Sequence, residues 1–198
     1  MKELVIGLLE WLMDLGYLGV ALGLMVEVIP SELVLSYGGY LVSQGRLSFT
    51  GAVIAGTIGG TLAQLFLYWM GYYGGRPFLE KYGKYILISK KQIDLSEKWF
   101  EKYGTGVIFF ARFIPVVRHA ISIPAGIARM TWIRFTFYTV LAIIPWSIFF
   151  IYLGTELGTN WQNIKTYAAP FTRGIMIAAL IFIAIMILLK VKKSKSGK

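Results

Sequence analysis

FFARFIPVVRHAISIPAGIARM, residues 109–130, places Arg112, Arg118 and the chain's single histidine, His119, inside an otherwise apolar run. Pro115 and Pro124 stand between and after them. The surrounding chain is 57% hydrophobic and only 15% charged, with no cysteine among 198 residues. Its mean hydropathy of +0.65 is too high for a soluble globule of this size. Charge buried in such a run therefore has to be explained in lipid rather than in water.

Three uncharged runs approach the roughly 20 helical residues that a hydrocarbon core of about 30 Å requires. They are TGAVIAGTIGGTLAQLFLYWM (50–70), FTFYTVLAIIPWSIFFIYL (135–153) and GIMIAALIFIAIMILL (174–189). The last is short, but Arg173 and Lys190 can snorkel to the interfaces. The expected fold is an all-α integral membrane protein forming a single membrane domain over 1–198. The N-terminus does not read as a signal peptide, because Glu3, Glu10 and Asp14 break its apolar region. The net charge of +10 is placed as topology demands. Five lysines fill KVKKSKSGK (190–198) and further basic residues fall between 76 and 102. The positive-inside rule puts both segments, and with them the C-terminus, in the cytoplasm. The spans 50–70 and 135–153 then run in opposite directions.

The surroundings of those two spans match. GRLSF (45–49) parallels ARMTW (128–132), aligning Arg46 with Arg129. WMGYYGG (69–75) parallels YLGTELG (152–158), and EVIP (27–30) parallels RFIP (112–115). Three matches in one order imply an internal repeat, and opposed directions make it an inverted-topology repeat. Each half, 27–75 and 104–158, is expected to hold a re-entrant hairpin plus a transmembrane helix. An N-terminal helix over 1–26, a cytoplasmic amphipathic segment over 76–103, a C-terminal transmembrane helix over 171–190 and a basic tail over 191–198 complete the expected organisation.

The hairpins are the informative segments. LVLSYGGYLVSQG (33–45) and HAISIPAGIA (119–128) are each too short to cross alone. Glu27 and Glu32 bracket Pro30, and Arg112 and Arg118 bracket Pro115. Proline removes a ladder donor and clashes with the preceding turn, so Pro30, Pro115 and Pro124 are expected to mark breaks. A charge at the bilayer centre costs about 2.5–3.5 kcal/mol on insertion scales, hence on the order of 10 kcal/mol for four unpaired charges. Acids of one hairpin should therefore face bases of the other. Guanidinium forks suit phosphate oxygens, glutamates at low dielectric can carry protons or bind a cation, and an apolar surround suits a lipid tail. Arg112 and Arg118 are the expected phosphate-binding residues, with Glu27 and Glu32 coupling or gating. The expected cargo is a phosphate-bearing lipid, with a proton or sodium gradient as the coupling candidate.

His119, Gln64, Arg46 and Arg129 are further candidates. Arg46 and Arg129 sit at hairpin-to-span junctions, where anchoring is their first role. Ala52, Gly56, Gly60 and Gln64 recur every four residues as a small-residue stripe for helix packing. Pro145 is expected to kink its span. Enzyme signatures are thin: there is no HExxH, no GxSxG, no P-loop and no paired-aspartate motif. A phosphatase using one histidine as nucleophile and another as acid would need more than His119. No cofactor, metal or nucleic-acid partner is expected.

EVIPSE (27–32), GTIGGTLAQLFLYWMGYYGGR (56–76) and the RFIPVVR core followed by PAG resemble the DedA family, also called the SNARE-associated or VTT-domain family. The resemblance covers roughly residues 15–160. It implies integral membrane proteins with opposed re-entrant hairpins that translocate lipids, in bacteria undecaprenyl phosphate or phospholipids such as phosphatidylethanolamine. The family's acids and arginines carry over to Glu27, Glu32, Arg112 and Arg118, although some relatives place the second acid in a P-G-D context. The compact form and short lysine tail look like the undecaprenyl phosphate branch, which implies a bacterial cytoplasmic membrane.

Overall fold

A computed structural model describes residues 7, 11–12, 14–26, 29–75, 94, 98, 106–114, 117–118, 120–164, 166–178 and 181. Glu27, Pro115 and His119 lie outside the described residues, as do nearly all of 76–103, the tail 191–198, and most of the expected last span beyond residue 178. The described elements are α1 (Tyr17–Val26), α2 (Ser31–Ser43), α3 (Phe49–Trp69), α4 (Val107–Ala111), α5 (Ser122–Ile127) and α6 (Trp132–Leu157). Residues 166–178 are also helical, apart from the undescribed 165 before them.

Two of these helices are long and apolar enough to cross a bilayer. With their terminal turns they run Phe49–Gly74 and Trp132–Trp161. Their periodicity separates a lipid face from a packed face. On α3, Ile54, Ile58, Leu62 and Phe66 are exposed, while Ala52, Ala55 and Ala63 are buried. On α6, Phe137, Leu141, Ile144 and Ile148 are exposed, while Phe135, Ala142, Phe150 and Ile151 are buried. Large apolar side chains outside are the pattern of a helix solvated by lipid, and on α3 small residues inside let its neighbours approach closely. α3 starts at Ser48, whose Oγ accepts the Gly51 N–H at 3.1 Å, capping an otherwise orphan donor.

α1 and α2 are too short to span, at 10 and 13 residues, or about 15 and 20 Å at 1.5 Å per residue. The opening segment turns at 14–16, where Gly16 takes φ +61°, so the helix begins at Tyr17. Pro30 is extended (φ −53°, ψ 129°) immediately before α2. Pro124 differs from its expected role. It lies in the first turn of α5, together with Gly126, and both are buried. A first-turn N–H has no intrahelical partner to lose, and the Ala120 carbonyl accepts from Ile123 instead, at 3.3 Å. Pro145 lies inside α6.

α2 and α5 close with the same hydrogen bonds. Gly45 N–H donates to Val42 and Arg46 N–H to Leu41; Arg129 N–H donates to Gly126 and Met130 N–H to Ala125. Gly45 (φ +69°) and Arg129 (φ +51°) occupy the left-handed position. The counterpart of Arg129 is therefore Gly45, one residue before the Arg46 that sequence matching selects.

Five glycines set the tertiary arrangement; one is Gly59 of α3, where a Cβ would collide with the backbone of Ala21 on α1, and the other four seat α2 and α5. A Cβ on Gly39 of α2 would collide with the backbone of Ile151, Gly154 and Thr155 on α6, and one on Gly154 with the backbone of Ser36. A Cβ on Gly126 of α5 would collide with the backbone of Tyr68, Gly71 and Tyr72, and one on Gly71 with Ile123. Each short helix is thus seated by paired glycines on the long helix of the other half. Gly39→Ala, Gly71→Ala, Gly126→Ala and Gly154→Ala should each destabilise the detergent-solubilised protein by about 1–3 kcal/mol or more. Gly174→Ala, whose Cβ meets nothing within 4 Å, should leave the thermal unfolding midpoint unchanged.

Candidate functional site

The two larger apolar clusters among the described residues meet at a polar layer. One cluster joins α1 and α2 to the start of α3 and the end of α6. The other joins the end of α3 to α5 and the start of α6. Between them, near the middle of both long helices, lies a cavity of about 110 Å³. Its wall includes Pro30 and Ser31 before α2, Gly60 and Gln64 on α3, Arg112 and Arg118, and Trp146 and Ser147 on α6.

Arg112 follows α4 and is only 7% exposed. Its Nη1 donates to Gln64 Oε1 at 2.9 Å and to the Arg118 carbonyl at 3.2 Å. Its Nη2 donates to Thr139 Oγ1 at 2.8 Å and to Ser122 Oγ at 3.4 Å. The guanidinium carbon stands 5.4 Å from the centre of the Phe135 ring, within cation–π range. Ser122 Oγ donates to Gln64 Oε1 at 2.7 Å, and Thr139 Oγ1 to the Phe135 carbonyl at 2.7 Å. One guanidinium thus ties α3, α5, α6 and the segment after α4 together, and the neutral acceptors fix the plane of its fork.

Arg118 is the more open of the two. Its Nη1 lies 2.8 Å from Glu32 Oε1, with side-chain exposures of 16% and 22%. Its guanidinium carbon stands 5.7 Å over Trp146. Glu32 belongs to the first turn of α2, so this ion pair joins α2 to the segment after α4 at the cavity edge.

The structure therefore gathers Arg112, Arg118, Glu32, Gln64 and Pro30 at one place. Arg46 and Arg129 stand elsewhere. Arg46 pairs with Asp14 at 3.4 Å in an exposed contact, and Arg129 lies 5.0 Å over Tyr72. Ser122 and Thr139 are functional neighbours that sequence reasoning misses. Their only signal is a hydroxyl in an apolar helix. Gln64, by contrast, ends the small-residue stripe that begins at Ala52: Gly56 and Gly60 admit the side chains of α6 one turn at a time. Among the described residues no cluster of three or more His, Cys, Asp or Glu could hold a metal ion.

The family model for the VTT domain matches residues 29–156, the part of the chain that carries the cavity. The chain is 61% identical over 190 residues to undecaprenyl phosphate transporter A of Bacillus subtilis, covering 96% of each chain. It is 42% identical to the uncharacterized membrane protein YkoX of the same organism, covering 98% of this chain and 88% of that one. It is 37% identical to an alkaline phosphatase-like protein of Lactococcus lactis, covering 98% and 93%. No solved structure matches.

Thr139→Val and Gln64→Leu each remove an acceptor from a buried guanidinium, and each should lower stability by about 1–3 kcal/mol. Because both serve Arg112, the double variant should lose less than the sum of the two, measured as thermal unfolding midpoints of the purified protein.

Proposed function

This chain belongs to the VTT-domain family, and on that premise we propose that it is a lipid flippase. Its cargo is undecaprenyl phosphate, returned from the outer to the inner leaflet of the bacterial cytoplasmic membrane for reuse in envelope synthesis. The observation that carries this reading is the placement of two guanidinium groups on one cavity near mid-span. A lipid phosphate crossing the bilayer has its highest energy there, and fixed cationic forks at that depth lower it. The name of the Bacillus subtilis relative, at 61% identity over 96% of both chains, supports the choice of lipid.

The roles follow from geometry. Arg112, clamped by Gln64, Ser122 and Thr139, is the fixed half of the phosphate site. Arg118, whose partner is a carboxylate at the cavity edge, is the exchangeable half. A phosphate oxygen replaces Glu32 on Arg118, and the released Glu32 takes up a proton or sodium ion or returns when the cargo leaves. Glu27 shares this coupling role by its position in EVIPSE. The architecture we assign is an inverted-topology repeat of two re-entrant hairpins. The reciprocal seating of Gly39 on Gly154 and of Gly126 on Gly71 supports it, as do two short helices lodged beside two long ones. Alternate opening on either side of a fixed midplane site is what such a repeat produces. The positive-inside rule, applied to the basic residues of 190–198, supports a cytoplasmic C-terminus.

The test is a proteoliposome assay following undecaprenyl phosphate between leaflets, with and without a proton or sodium gradient, and with phosphatidylethanolamine as competing cargo. Arg112→Ala and Arg118→Ala should each slow transport roughly tenfold to hundredfold, the loss expected for about 1.5–3 kcal/mol of charged hydrogen bonding. Gln64→Glu should preserve folding but block transport, because its carboxylate neutralises Arg112 from within. Full activity in the double arginine variant overturns the proposal. Faster movement of phosphatidylethanolamine assigns the other lipid. Release of inorganic phosphate turns the reading toward hydrolysis.

A further inference from the structure

The arginines account for one side of the cavity, but two other polar side chains line it. Ser147 is completely buried, and its Oγ finds no hydrogen-bond partner among the described residues. A buried hydroxyl on a helix ordinarily bonds the carbonyl four residues back. Thr139 and Thr155 of the same helix do so, at 2.7 and 2.9 Å; Thr136 and Ser147 do not, and of these two only Ser147 lines the cavity. The position of its hydroxyl follows from its neighbours. A Cβ built on Gly56 would stand 3.4 Å from Ser147 Oγ, 2.9 Å from Leu35 Cδ2 and 3.6 Å from Leu24 Cδ1. Ser147, Leu35 and Leu24 all line the cavity, so this unmet hydroxyl belongs to a residue of the cavity wall and stands where that wall packs against Gly56 of α3.

The adjacent Trp146 repeats the pattern. Its ring face lies under Arg118 at 5.7 Å, while its Nε1 is buried and also has no partner among the described residues. Indole N–H can only donate. The Phe113 and Phe150 rings, at 6.3 and 4.9 Å, hold the indole in place. Buried donors left unmet are costly, and these two belong to consecutive residues that line one cavity.

We propose that Ser147 and Trp146 form a neutral donor face of this cavity that selects a phosphate monoester over a phosphodiester. This rests on the lipid-phosphate reading above and deepens it. A monoester presents three strong acceptor oxygens and carries about −1.5 to −2 charge; a diester has two free oxygens and a single charge. Two guanidinium forks satisfy two oxygens. The third, found only on a monoester, needs the hydroxyl and the indole N–H. Their neutrality matters as well: they supply hydrogen bonds without adding cation–anion attraction that would trap the cargo at mid-span.

The experiment measures affinity of the full-length, detergent-solubilised protein for undecaprenyl phosphate, phosphatidic acid and phosphatidylglycerol, the last being the diester. Ser147→Ala should bind both monoesters roughly tenfold more weakly and phosphatidylglycerol as wild type does. Its lipid-free unfolding midpoint should be equal or higher, since an unmet buried hydroxyl is gone. Trp146→Phe keeps the ring face under Arg118 and removes only the N–H, and should lose monoester preference by a few fold. A Ser147→Ala protein that keeps the wild-type preference overturns this inference alone. So does one with a lower lipid-free midpoint and equal losses for all three lipids, because that is the mark of a packing role. Wild-type protein that responds to none of the three overturns the lipid-phosphate reading and this one together.

Discussion

The structure depends on a guanidinium group held away from water between lipid-solvated helices. Arg112 is almost fully buried and is gripped by Gln64, Ser122, Thr139 and the Arg118 carbonyl. Placing that charge in a low-dielectric interior is expensive, and only a dense set of acceptors from several elements makes it tolerable. The consequence is architectural. α3, α5, α6 and the segment after α4 must all arrive at one point with defined rotation, so the charge that is hardest to bury also fixes how the helices meet. The Arg118–Glu32 pair adds α2 to the same point.

Such convergence is possible only because backbones approach closely. Helices in lipid gain little from hydrophobic attraction for one another, so contact depends on dispersion and polar links across small residues. Gly39 with Gly154 and Gly71 with Gly126 supply that contact in crossed fashion, each short helix resting on the long helix of the other half. The crossing brings Glu32 at the start of α2 within ion-pair reach of Arg118. Non-helical backbone at residues 29–30, 112–114, 117–118 and 120–121 is buried, partly buried or borders the cavity, the condition for irregular chain at membrane depth. Packing and site are one design: the glycines bring the halves together, and the polar residues occupy the gap that remains.

Much of this was legible in the residues before any coordinates. The spans expected at 50–70 and 135–153 correspond to α3 and α6, because uncharged length is a direct physical requirement of the bilayer. Arg112, Arg118 and Glu32 stood out because ionised groups in apolar runs are too costly to be incidental. Gln64 was visible only as the odd member of a small-residue stripe. Ser122, Thr139 and Ser147 were not visible as a group. A hydroxyl in a lipid-embedded helix can satisfy itself on its own backbone, so its presence carries little information until its partners are known. The Arg46–Arg129 alignment erred by one position for a related reason: sequence identity aligned two arginines, whereas the turn geometry aligns Gly45 with Arg129 by backbone conformation. Pro124 is expected as a break because proline breaks helix interiors, yet it lies in the first turn of α5, where its missing donor is harmless.

The central claim is that the cavity between the two halves holds a lipid phosphate on Arg112 and Arg118. The most direct measurement is an electron cryo-microscopy structure of the full-length protein in nanodiscs loaded with undecaprenyl phosphate. The account predicts phosphate density at mid-span, with its oxygens at charge-assisted hydrogen-bond distance, about 2.7–2.9 Å, from both guanidinium groups, and with Glu32 displaced from Arg118. Phosphate density confined to the surface near Arg46 and Asp14, with the Arg118–Glu32 pair intact and the cavity without lipid, would contradict it.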